Sequence, residues 1–231
     1  MHESDIKRYL QSGQYAKRKL KYLGELNTAL GNLKSTDVTV RLIGAKRLSY
    51  HSRRELGVDL LCVREWFSSE LIRTELSKIC ATEADDKVLQ HSLIALYFIY
   101  ERYIIHEMWL KDYFFTLEEI KRDEFNYIQW VLPIAEACYR FSAAIFVKEV
   151  LARIFAICRD SRAWDIYIEI LPKKSAYCGW GRKICSQYAR YSITESQKDD
   201  LVQALDKIIA KVKNLHGSTD ASEMQKVLNA L

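Results

Sequence analysis

The 231-residue chain reads as an all-α protein, and three observations predict it. It holds only 8 Gly and 2 Pro, too few for the tight turns of a many-stranded fold. Leu, Ala, Lys, Glu and Arg recur at helical spacing. A segment near residue 125 also matches one 39 residues later, a period suited to a helical hairpin. With 49% hydrophobic residues, the chain can bury one sizeable core or one continuous stack without disulfide or metal staples.

Apolar periodicity and capping signals place helices near 4–12, 14–32, 37–50, 55–80, 85–110, 117–141, 142–158, 161–171, 175–192, 195–215 and 220–230. Thr116 followed by Glu119 and Thr194 followed by Gln197 have the form of capping boxes, and Asp220 followed by Glu223 is a looser version. The helix over 14–32 is one-sided: Tyr15, Tyr22, Leu23, Leu26 and Leu30 share an arc, and Lys17, Arg18 and Lys21 lie opposite. That pattern suits an outer helix. Residues 88–105 are apolar on nearly every side, with only Gln90, His91, Glu101 and Arg102 clearly polar, so this helix is expected to be central.

The repeat aligns FNYIQWVLPIAEACYRFSAAI (125–145) with WDIYIEILPKKSAYCGWGRKI (164–184). Apolar positions coincide, and Pro133 meets Pro172. Each proline lacks a backbone donor and is expected to kink or restart its helix. DVTVRLIGAKRLSYHS (37–52) and DDKVLQHSLIALYFIY (85–100) then resemble the first helices of HEAT-type repeats, with an acidic opening followed by apolar residues at i, i+3, i+4 and i+7. The resemblance implies a right-handed α-solenoid of about five stacked helical hairpins with terminal capping helices, whose concave face binds an extended or curved partner. The spacing of 48 between residues 37 and 85 departs from the family and predicts a lengthened helix or an insertion near 53–84. Residues 1–216 are expected to form the repeat domain, with 217–231 a linker and short helix that could also dock on a second copy.

The start of the chain is charged and lacks the apolar core of a secretion signal, and the longest apolar run, LIALYFIY at 93–100, is far short of the roughly 20 residues of a membrane span. A soluble, cytoplasmic protein is expected. The six cysteines (62, 80, 138, 158, 178 and 185) include no CxxC pair and read as reduced, packed thiols.

Net charge is +5, distributed as basic ends around an acidic middle: residues 1–80 carry 15 basic and 9 acidic side chains, 81–170 carry 10 and 15, and 171–231 carry 10 and 6. A phosphate-tracking protein would favour an unbroken basic path. Wrapped on a helix, residues 175–191 separate a stripe of Tyr177, Trp180, Ile184, Tyr188 and Tyr191 from Arg182, Lys183 and Arg190 on the other side. Single-strand binding needs aromatics and cations on one surface, so a core stripe with a solvated basic face is the better reading. Cys178 and Cys185, two helical turns apart, are too distant for a disulfide within an intact helix.

The densest basic segment, Lys46, Arg47, His51, Arg53 and Arg54, is expected at a turn between helices, where it could meet an acidic partner. With Arg41, Arg182, Lys183 and Arg190 it makes up the candidate partner-binding set. Catalytic signals are missing. His106-Glu107 would need a second histidine at position 110, which is Leu110. The histidines and cysteines lack metal-ligand spacing, there is no Gly-rich phosphate loop and no GxSxG, and the carboxylates Asp112, Glu118, Glu119, Asp123 and Glu124 suit a helix start. No cofactor, catalytic residue or metal site is expected.

The expected function is therefore a non-enzymatic scaffold docking a protein, a class that includes toxin-neutralising immunity proteins. The alternative is a DNA-binding enzyme resembling the helical-repeat DNA glycosylases, with Trp109 and Asp112 or Trp164 and Asp165 as candidate pairs but no alignment to assign them roles.

Overall fold

The computed structural model describes residues 8–54, 58–104, 117–158 and 160–170, with positions 195, 196, 199, 200, 202, 203 and 206 beyond them. The described residues are helical throughout, apart from short connections. They form α1 (Gly13–Leu33), α2 (Val38–Arg54), α3 (Val58–Ser68), α4 (Glu70–Thr82), α5 (Asp86–Ile104), α6 (Leu117–Phe141), α7 (Ile145–Ile157) and α8 (Arg162–Ile170). Two compact units are present, Met1–Phe141 and Ser142–Leu231. The boundary expected at 216/217 lies outside the described residues.

Helix starts follow from short polar side chains that reach back to free backbone donors. Ser12 accepts from the Tyr15 amide at 3.2 Å before α1. Asp37 accepts from Thr39 N at 2.8 Å, and Asp85 accepts from Lys87 N and Val88 N at 3.0 and 2.9 Å. The acidic openings read in the sequence are therefore caps. Thr116, Thr194 and Asp220 lie outside the described residues.

The helix expected over 55–80 is instead two helices. The chain turns extended at Ser69 (φ −65°, ψ 125°), between α3 and α4. Arg73 compensates the break: its Nε–H donates to the Phe67 carbonyl at 3.0 Å, satisfying an acceptor at the end of α3. Of the two outcomes expected at Pro133, a restart is excluded, since α6 continues as an α-helix through it. The proline is exposed, while Val131, Ile134, Ala135 and Cys138 are buried. Anchoring of that apolar face offsets the roughly 3 kcal/mol cost of an interior proline.

In the first unit, helix directions follow from which residues meet. α1 and α2 are antiparallel, with Gly44 against Ala29, Asn32 and Leu33, and His51 beside Tyr22 and Glu25. α2 and α5 run parallel: Arg41 meets Glu83 just before α5, and Arg53 lies over the ring of Phe98 a few turns later. α1 runs parallel to α3 through Lys19–Glu65 and Trp66 Nε1–H donating to Asn27 at 2.7 Å, and Lys34 just after α1 pairs with Glu75 of α4. α4 runs parallel to α6, where Trp130 donates to Ser77 Oγ at 3.0 Å and the Cys138 thiol reaches the Cys80 carbonyl at 3.5 Å. Tyr127 of α6 donates to the Leu96 carbonyl of α5 at 2.6 Å.

α5 is central, as its all-round apolarity predicts: Val88, Leu89, Leu93, Ala95, Leu96, Tyr97 and Ile99 are buried. It packs on α2, α4 and α6. α1 is one-sided, with Leu26, Ala29, Leu30 and Leu33 buried and Lys17, Arg18 and Lys21 exposed.

The second unit contains the antiparallel pair α7 and α8. Lys148 Nζ bonds both Glu169 carboxylate oxygens at 2.7 and 2.8 Å, and the Arg162 guanidinium lies 4.5 Å from the Phe155 ring centroid. α7 buries Val150 through Ala156 without interruption.

Candidate functional site: a basic cleft between two parallel helices

The cationic segment of residues 46–54 belongs to α2 and not to a turn, because the helix continues to Arg54. Side chains on an α-helix recur on one face at i, i+3, i+4 and i+7, and that spacing brings Lys46, Ser49, Tyr50 and Arg53 together beside His91 of α5. These five residues line an open cleft of about 370 Å³. Arg53 is fixed in place: its Nη2 donates to Ser49 Oγ at 2.7 Å, and its Cζ lies 5.4 Å from the Phe98 ring centroid. Partial burial pushes the Arg53 pKa down from its usual value. His91 is likewise held below the ordinary histidine value, first by burial and then by the charges of Arg53 and Lys46, so it is neutral near pH 7. Its Nδ1 is buried and meets no hydrogen-bond partner among the described residues.

Among the described residues, Lys46 and Arg53 have no carboxylate partner and no carboxylate lines the cleft. Several other cations of the same unit are matched: Lys19 pairs with Glu65, and Lys34 and Lys78 with Glu75. Arg41, one of the candidate partner-binding residues, forms a two-pronged bond with Glu83, Nε to Oε2 at 2.9 Å and Nη2 to Oε1 at 3.2 Å. It also donates to the Ser35 and Thr36 carbonyls at 3.2 and 2.9 Å. With the arginine side chain 22% and the glutamate 4% exposed, this is a tie between the start of α2 and the α4–α5 connection.

Arg47 is exposed. His51 turns inward, 3% exposed, with Nε2 3.1 Å from Glu25 and its ring edge-on to Tyr22 and Tyr50. Arg54 ends α2, and its side chain lies outside the described residues, as do Arg182, Lys183 and Arg190. Sequence reasoning missed His91, Ser49 and Tyr50. The available signal was His91 itself, one of four polar residues on an otherwise apolar helix.

Among the described residues, no group of three His, Cys, Asp or Glu side chains is placed to hold a metal ion. Cys62, Cys80 and Cys138 are buried free thiols, and Cys158 is a half-buried one. Asp165 is exposed on α8, whereas Trp109, Asp112, His106 and Glu107 lie outside the described residues. No described helix is long and apolar enough to cross a membrane. No family model, curated protein or solved structure matches this chain.

Proposed function

We propose that this chain is a non-enzymatic helical-repeat scaffold that docks a protein partner, with the basic α2–α5 cleft as part of the contact face. The observation that carries the reading is the direction of the helices in the first unit. α2 runs parallel to α5, while α1 runs parallel to α3, and α4 to α6. Helices that return to the same direction every second segment are compatible with stacked hairpins, as in an α-solenoid, and equally with an up-down bundle. Such a stack offers its partner a row of helix faces, and the cleft adds unmatched positive charge to one of them.

The test is site-specific photo-crosslinking in the native cell, with the photoreactive side chain at Tyr50 or, as a control, at the exposed Leu71 of α4. A discrete protein adduct at position 50 that is lost in a Lys46→Glu/Arg53→Glu chain is expected. The reading fails if both positions give the same adducts or none. It also fails if the purified protein binds duplex DNA with a steep salt dependence that the double substitution abolishes.

A further inference from the structure

The charges of the cleft, and not only its place on α2, carry a statement about its ligand. Lys46 supplies an ammonium with three donors, and Arg53 supplies a guanidinium of which one donor is used on Ser49. Ser49 accepts that bond, so its own O–H remains a donor. His91 borders the same space with an unmatched buried Nδ1. Donors thus predominate among the polar groups of an otherwise largely apolar wall, and neither positive charge meets a carboxylate among the described residues.

Lys46 and Arg53 are both exposed and meet no carboxylate among the described residues, so an anion entering the cleft has no internal counter-ion to displace. The ring of Phe98 beneath Arg53 and the bond to Ser49 hold the guanidinium in one orientation before any ligand arrives. The cleft, at about 370 Å³, has the size of a small-molecule or single-side-chain site and exceeds what a lone oxyanion fills.

We propose that the α2–α5 cleft binds a phosphate monoester, its dianion neutralised by Lys46 and Arg53 and hydrogen-bonded by Ser49, with the remainder of the ligand lying along Tyr50. A dianion matches two cations. A carboxylate would leave one of them unneutralised. This inference deepens the docking reading, because a phosphorylated side chain of the partner is one source of the group. A free phosphorylated metabolite is the other.

The test follows the imidazole resonances of His91 in the full chain by NMR, at constant ionic strength. The probes are inorganic phosphate, a blocked tripeptide centred on phosphoserine, ribose 5-phosphate, and acetate as the monoanion control. The expected result is saturable movement of the His91 signals toward the protonated form with the phosphate probes and not with acetate. Lys46→Gln and Arg53→Gln should each weaken binding by about tenfold or more, the equivalent of one lost charge-assisted bond. Lys121→Gln, on exposed α6 surface, should leave it unchanged. Circular dichroism of each variant confirms folding, and Lys46→Gln carries the test if removal of the pinned Arg53 perturbs α2.

Movement that fails to saturate, that acetate reproduces, or that survives both substitutions overturns the site. Preference for the tripeptide over ribose 5-phosphate ties the site to a protein partner. The opposite preference keeps the phosphate site and detaches it from docking, so the two readings fail separately.

Discussion

Replacing Gly44 by Ala should destabilise the first unit, although alanine is the better helix former. A Cβ at position 44 would lie 2.5 Å from the Ala29 carbonyl oxygen, 2.9 Å from Asn32 Cβ and 3.0 Å from the Leu33 amide nitrogen. Two of these three atoms are backbone of α1, so no rotamer change makes room, and α1 and α2 must move apart. Overpacking against rigid backbone costs about 3 kcal/mol. The gain in helix propensity returns about 1 kcal/mol, leaving a net loss of about 2 kcal/mol. Gly24 is the internal control, since a Cβ there meets nothing within 4 Å. At that position only propensity acts, and Gly24→Ala should stabilise by about 1 kcal/mol. The same substitution at two positions therefore differs by about 3 kcal/mol and changes sign. Urea unfolding followed by circular dichroism measures both, with unchanged m-values showing that the shift is one of stability. A Gly44→Ala protein as stable as the parent, or midpoints displaced in the same direction, would refute the close approach of α1 and α2.

Leu93, fully buried on α5, should cost about 2–5 kcal/mol when cut to Ala, read by the same unfolding assay. His91 should titrate by NMR with a midpoint below 6.5, and Arg53→Gln should raise it only in part, because burial is the larger cause. Its depressed pKa means that stability is present above pH 6.5 and declines as the pH falls from there toward the folded value, since the unfolded chain takes up the proton first. A midpoint at or above 6.5 would contradict the placement of His91 beside Lys46 and Arg53. Asp160 accepts from the Arg162 amide at 3.0 Å and from its Nε at 2.8 Å, which holds the carboxylate below its usual range. Asp160→Ala should cost about 1 kcal/mol near neutral pH as a lost helix cap, and the difference should vanish as acid protonates the carboxylate through its lowered pKa. Burial pushes the Cys138 and Cys158 thiols up to about 12, and Cys80 higher still. Peptide mapping after iodoacetamide treatment at pH 8 should find these three unmodified in the native protein and labelled in urea.

Much of this architecture was legible locally. Apolar spacing placed α6 at 117–141, set α1 and α2 within a few residues of their observed bounds and the start of α5 within one, and the all-round apolarity of 88–105 marked the central helix. These features depend on periodicity and short-range capping, which neighbouring residues determine. What the chain does over longer distances was decided by tertiary packing. The break at Ser69 is maintained by Arg73, which reaches back to Phe67 and lies over Trp130 of a helix more than fifty residues away. Arg41 resembled the other cations of its segment until Glu83, 42 residues on, proved to be its partner. The cleft itself joins Lys46 and Arg53 to His91, a pairing that no local spacing encodes. It exists because α3 and α4 carry the chain back, so that α5 can run parallel to α2.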